Sequence, residues 1–314
     1  MGSVRTDLAI EAHESLGRPE IPGVHVEEER GAADIAITRV RVAGEEGSRR
    51  LGKPPGRYVT VESKNLRRHD PEHARKVGEA VSHEIAAFLD EGERAILVVG
   101  LGNWNATPDA LGPRVVGQVL VTRHLQRLLG EATDEGFRTV SALAPGVLGL
   151  TGIETSEIVQ GVVDRTRPDV VAAVDSLAAS NIERIGTTVQ ISDTGIHPGS
   201  GIGTGRGGLT RETLGTRVLA VGVPTVVHAM TLARNAVQGV KSRLGQTQGA
   251  SERLEELSDD PGLLKELLGD SFGSLVVTPK EIDVMIRDLS HIVAGALNTA
   301  FHRDVDLGEF ALYA

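Results

Sequence analysis

The chain has 314 residues, 40% of them hydrophobic, with 43 acidic against 33 basic side chains for a formal charge of −10. That length suits one large domain or two small ones around a sizeable core, and the acidic balance disfavours a nucleic-acid binder. The absence of cysteine excludes disulfides, thiolate metal sites and cysteine nucleophiles.

Aromatic residues make up only 3%, so the core must be built from Val, Ile, Leu and Ala. That composition fits a mostly parallel sheet flanked by helices. Residues 1–23 are polar, contain Pro19 and Pro22, and read as a mobile arm. They lack the basic region and apolar run of a secretory leader. No segment reaches about 18 uninterrupted apolar residues, so the expected location is cytoplasmic. Strand-like runs follow at Val24–Val26, Ile35–Val42 and Tyr58–Val61, separated by Gly44, Gly47 and Pro54-Pro55. Asp70-Pro71 supplies an N-cap and a first-turn proline for a helix to about Asp90.

From there strands and helices alternate. Ala95–Val99, Thr139–Ala144, Val170–Val174, Val189–Ile191 and Val218–Val223 read as strands. Leu111–Leu129, Thr155–Arg165 and Val226–Leu244 read as helices. Such alternation implies βαβ crossovers and a central, largely parallel sheet. A charged stretch at about 246–272 reads as a surface insertion. The chain closes with a strand at Leu275–Val277 and a helix opened by the capping box of Thr278, Pro279 and Glu281.

In such a sheet, sites form where strands end and loops turn over the carboxyl edge. Two strand ends carry carboxylates: Asp109, in the loop Gly100–Pro113, and Asp175, directly after Val174. The loop begins Gly-x-Gly, yet Asn105 stands where a dinucleotide fingerprint needs its third glycine. The glycines instead let the backbone turn and present Asn103 and Asp109. Each aspartate also has a plain alternative reading as a helix cap. Two neighbouring carboxyls can share a proton, one acting as base on water while the other polarises a carbonyl. That chemistry needs no cofactor, and mild acid is expected to promote it. Asp193-Thr194-Gly195 matches a pepsin-like tripeptide, but it occurs once and without that fold's many short strands. The glycine-rich run 195–208 lacks the Lys-Ser/Thr of a phosphate cradle and reads as a flexible loop holding His197.

These words together resemble the germination (spore) protease family across nearly the whole chain. The matching stretches are Arg5–Ala9, Gly100–Pro113, Val121–Leu125, Pro145–Ser156, Ile191–Gly201, Gly222–Val227 and Val277–Glu281. The resemblance implies an α/β fold like that of hydrogenase-maturation endopeptidases, with extra N-terminal strands. It implies an atypical aspartic endopeptidase whose essential aspartates fall on Asp109 and Asp175, with Asn103, Asp193 and His197 as supporting candidates. It further implies a self-cleaving zymogen, with residues 1–7 as propeptide, cleavage between Asp7 and Leu8, and 8–314 as the peptidase domain. The implied substrates are small acid-soluble spore proteins cut during germination in the spore core, by a homotetramer with no membrane or direct nucleic-acid partner. Alternatives are a metal-dependent maturation-type endopeptidase using the same carboxylates with His197, and a non-catalytic binder of spore proteins.

Overall fold

The computed structural model describes residues 6–31, 34–68, 70–125, 137–197, 207–244, 269 and 275–302. Among them the strands are β1 (Val24–Arg30), β2 (Ala36–Val42), β3 (Gly56–Glu62), β4 (Ala95–Gly100), β5 (Thr139–Leu143), β6 (Val170–Ala179), β7 (Thr188–Ser192), β8 (Arg217–His228) and β9 (Val276–Val277). The helices are α1 (Ala9–Ser15), α2 (Gly44–Leu51), α3 (Pro71–Ala87), α4 (Leu111–Val116), α5 (Leu148–Thr151), α6 (Thr155–Thr166), α7 (Arg211–Leu214), α8 (Ala229–Leu244) and α9 (Ile282–Phe301).

All nine strands join one sheet in the order β1-β2-β3-β7-β8-β6-β4-β5, with β9 paired to β8. The pairings β4–β5, β4–β6 and β6–β8 are parallel and form the expected α/β centre. The N-terminal strands extend it as an antiparallel wing through β7.

Period-two alternation sends side chains to two covered faces. Ile96, Val98, Val174 and Val221 pack beneath α3 and α9, against Val81, Ile85, Ile286 and Val293. Leu97, Val99, Val171 and Ala173 face the other way, against Val159 and Val163 of α6. Parallel strands buried on both faces explain why β4 and β6 read as unbroken apolar runs.

Some boundaries differ from the sequence reading. β6 does not stop at Val174 but continues through Asp175 to Ala179, because β8 runs alongside it to His228 and supplies ladder partners. Asp175 therefore lies within a strand and is not a helix cap. The helix from Leu111 ends at Val116, where Gly117, a poor helix former, takes the C-cap. Residues 126–129 of that expected helix lie outside the described residues, as does the insertion at 246–272 apart from Gly269.

The capping box at Thr278 does not form. α9 starts at Ile282 with Glu281 as an N-cap that makes no side-chain bond, and Thr278 Oγ1 instead donates to the Thr225 carbonyl at 2.9 Å. The Asp70 cap does form, accepting from the amides of Glu72 and His73. The expected mobile arm is, from Thr6 onward, a docked segment. Leu8 and Ala9 are fully buried, and α1 follows at once.

α4 is seated by glycine. A Cβ on Gly112 would overlap the backbone of Leu101 and the Val174 carbonyl, and one on Gly100 would overlap the Gly112 carbonyl. These are backbone atoms with little room to yield. Gly112→Ala is expected to destabilise the fold by about 1–3 kcal/mol and to displace the loop ahead of α4. Denaturant unfolding checks the first effect and proteolytic activity the second.

Candidate active site

The parallel register places Gly100 beside Val174, and the Leu101 amide donates to the Val174 carbonyl at 2.8 Å. The chain leaving β4 is thus tied to β6 one residue before Asp175. Beyond Leu101, Gly102 turns at φ +117 with no room for a side chain against Asp109. The Asn103 amide then donates to both the Asp109 carbonyl (3.1 Å) and its carboxylate (2.9 Å). Asn103 Oδ1 accepts from the Asn105 amide at 2.9 Å, so Asn103 shapes the loop that holds Asp109.

Asp175 is 7% exposed and accepts from the Ser176 amide at 2.8 Å. Burial is the first cause raising its pKa well above the ordinary 3.8, and the nearby charge of Asp109 adds to it. The Ser176 amide works the other way, and the Asp7 carboxylate adds a further upward push. Asp109 is half-buried, and burial raises it to about 6 against the opposing Asn103 amide. One carboxyl therefore keeps its proton while the other ionises near neutrality.

The segment from Asp7 to Glu11 docks along β6 beyond Asp175. The Asp7 amide donates to the Ala178 carbonyl at 3.0 Å, and Asp7 Oδ2 accepts from the Ala178 amide at 2.7 Å. The β6–β8 register shifts between Leu177 and Ala178, next to Pro224, which has no amide hydrogen to donate. Leu8 packs with Leu177, Ala179, Ile185 and Val227, and Ala9 with Ile21, Val40, Val42 and Tyr58.

Glu11 is 2% exposed, and its carboxylate accepts from the amides of Ser180 (2.7 Å) and Asn181 (2.9 Å). Arg184 lies 3.6 Å from it and also holds Glu14 at 2.6 Å and Glu62 at 3.0 Å. An acid, an apolar residue, an alanine and a second acid are each met by a matching environment.

The structure brings Asp175 within electrostatic reach of both Asp109 and Asp7, with Asn103 bonded to Asp109 and Leu8 packed with Leu177 further along β6. It places Asp193 elsewhere: Arg57 holds its two oxygens through its amide (2.7 Å) and Nε (2.8 Å), fastening β7 to the start of β3. His197 packs its ring over Gly208. Among the described residues no three His, Asp or Glu side chains are grouped to hold a metal ion. The carboxylate pair plus His197 thus does not fit that alternative.

Three residues escaped sequence reading. Lys53 and Gln190 contact the Asp7 carbonyl, and Arg184 serves Glu11. A glutamine inside the apolar strand Val189-Gln190-Ile191 was the available signal, since a buried amide demands partners. Lys53 sits in an unremarkable Gly-Lys-Pro-Pro loop and had none.

Both aspartates have folded-state pKa values above their unfolded value, so the folded chain holds protons that the unfolded chain has released. Stability must fall as pH rises from about 4 through Asp109's value of about 6. Asn cannot ionise and escapes that loss. Asp109→Asn is therefore expected to be about 1–3 kcal/mol more stable than wild type at pH 8, with the advantage vanishing near pH 4. Thermal unfolding at both pH values checks this.

Comparison with known proteins places the chain. The family model described as germination protease matches residues 5–258 and 247–314. Germination proteases of Bacillus cereus (strain AH187) and Bacillus mycoides (strain KBAB4) are each 42% identical over 357 residues, covering 99% of this chain and 97% of the relative. A solved [NiFe] hydrogenase maturation protease, HycI from Thermococcus kodakarensis KOD1, is 18% identical with a TM-score of 0.33. It covers 66% of this chain and 94% of its own, too remote a likeness to bear on the chemistry. No helix among the described residues is long and apolar enough to cross a membrane. The chain belongs to the germination protease family.

Proposed function

We propose that this protease is a self-processing acid endopeptidase. It cuts its own Asp7–Leu8 bond and then cleaves small acid-soluble spore proteins in the spore core during germination. The observation that carries this reading is the seat of the Asp7–Leu8 bond, docked on β6 by Asp7, whose carboxylate is felt by Asp175, as is that of Asp109.

The two carboxyls divide the work according to their surroundings. Asp109, ionised above about pH 6, takes a proton from water. The hydroxide so formed bonds to the Asp7 carbonyl carbon. Asp175, kept protonated by burial and by its neighbour's charge, returns a proton as the C–N bond to Leu8 breaks. The new Asp7 carboxylate then lies among two other acids, and their repulsion drives residues 1–7 out. A spore protein carrying an acid, a large apolar residue, alanine and a second acid takes the seats of Asp7, Leu8, Ala9 and Glu11 once α1 has left them.

The expectation that mild acid promotes the chemistry is reversed on this reading. Cleavage needs Asp109 charged and Asp175 neutral, so the rate is a bell whose acid limb lies near pH 6. Stronger acid silences the base. The reading extends to a homotetramer. Exposed Ile182 and Val277 border an apolar cavity of about 430 Å³ with Ile185, Met285 and Leu289, surface that such an assembly would cover.

Incubating the purified chain from pH 5 to 8 and following its intact mass tests this. Loss of residues 1–7 in wild type, with Asp109→Asn and Asp175→Asn at least 100-fold slower, is the expected result. Cleavage at another bond, or wild-type rates in either variant, would overturn it.

A further inference from the structure

The Asp7 carbonyl is held from two sides. Lys53 Nζ donates to it at 2.9 Å and to the Thr6 carbonyl at 3.0 Å. Gln190 Nε2 donates to it at 3.1 Å, while Gln190 Oε1 accepts from the Ala9 amide at 2.7 Å. The glutamine amide therefore brackets Leu8, pairing with the backbone on both sides of the bond to be cut.

Register explains why Gln190 reaches this bond. Gly222 of β8 pairs with Asp175 on one side and Gln190 on the other. Directly opposed residues of a sheet project to one face. Val189 and Ile191 belong to the cluster beneath α3 and α9, so Gln190 points to the opposite face. Val174 belongs to that same cluster, so Asp175 points opposite as well. Two strand spacings separate their backbones, about 10 Å, and the Leu177 side chain, grouped with Leu8 in one apolar cluster, lies over the glycine between them.

We propose that Lys53 and Gln190 are catalytic residues, the two donors that stabilise the oxyanion formed when water adds to the scissile carbonyl. The inference rests on the self-cleavage reading above and refines it. A carbonyl oxygen offers two lone pairs, and these two donors occupy both. Asp175 is then not needed to polarise that oxygen, and its proton goes to the Leu8 nitrogen. The steps balance. Water gives a proton to Asp109 and its hydroxide to the Asp7 carbon. Negative charge gathers on the oxygen between Lys53 and Gln190. The C–N bond breaks as Asp175 protonates nitrogen. Lys53 stays an ammonium throughout.

The setting strengthens such donors. Lys53 is largely buried, which lowers its pKa, while the carboxylates of Asp7 and Glu11 push it back up. A fixed donor in a water-poor site acts on developing charge more strongly than in solvent.

The test follows first-order loss of residues 1–7 in Lys53→Met, Gln190→Leu and Lys53→Arg, with wild type and Asp175→Asn alongside. Lys53→Met is expected to slow cleavage about 100- to 1,000-fold, and Gln190→Leu at least about 10-fold. Lys53→Arg, which keeps a charged donor, is expected to stay within about 10-fold of wild type and guards against a folding artefact. Cleavage of a peptide in trans gives a second readout: kcat should fall in Lys53→Met with KM little changed, because the donors act on the transition state. Cleavage by Lys53→Met and Gln190→Leu within about threefold of wild type would overturn the oxyanion role while leaving the protease reading intact. A wild-type chain that never loses residues 1–7 would overturn the reading beneath it.

Discussion

Two neighbouring carboxyl groups, one buried within β6 and one half-buried in the loop after β4, cannot both be charged at low cost, and much of this structure serves to keep them there. Water would let each ionise near its ordinary value of 3.8, but burial and mutual repulsion spread the pair apart. The fold supplies the confinement. A parallel centre buries both strands on both faces. Glycines at 100 and 112 let α4 close against β6, and the Asn103 amide clasps Asp109 in place. Each feature opposes the natural tendency of a carboxylate to stay solvated. The stability given up at high pH is the physical counterpart of holding one acid neutral beside one base.

The leader exploits the same face of the sheet. Around the bond between Asp7 and Leu8 the carbonyl is held, the apolar residue is buried and the second acid is met by two amides and Arg184, which is how the proposed function has a substrate bound. Under the proposed function, a site occupied by its own substrate-like segment is closed to others until that segment is cut, so that inhibition and recognition are one interaction.

Much of the frame was legible in the sequence because it depends on local rules. Apolar runs marked β4, β6 and β8. Asp70-Pro71 marked the start of α3, and the strand-end loop marked Asp109. Asp175 was found for a partly mistaken reason, since the strand does not end there. Its continuation to Ala179 depends on β8, a partner far away in the chain. Burial of Leu8 and Ala9 was hidden for a similar reason: a short polar segment followed by Pro19 and Pro22 looks solvated until the pocket that receives it is assembled. The Thr278 motif misled in the opposite direction, because its hydroxyl found the Thr225 carbonyl across the sheet. Lys53 and Gln190 become meaningful only through β-register and loop closure, which no short motif encodes.

The central claim is that burial, reinforced by the charge of Asp109, keeps Asp175 protonated while Asp109 ionises. Carbon-13 NMR of labelled aspartate carboxyls, titrated in wild type and in Asp109→Asn, addresses it directly. The account expects one step near pH 6 in wild type, from Asp109, and a second, from Asp175, raised well above the ordinary 3.8. It expects the surviving Asp175 step to move down once Asp109 is gone. Two ordinary carboxyl titrations near pH 4, or an Asp175 step unmoved by loss of its neighbour, would contradict it.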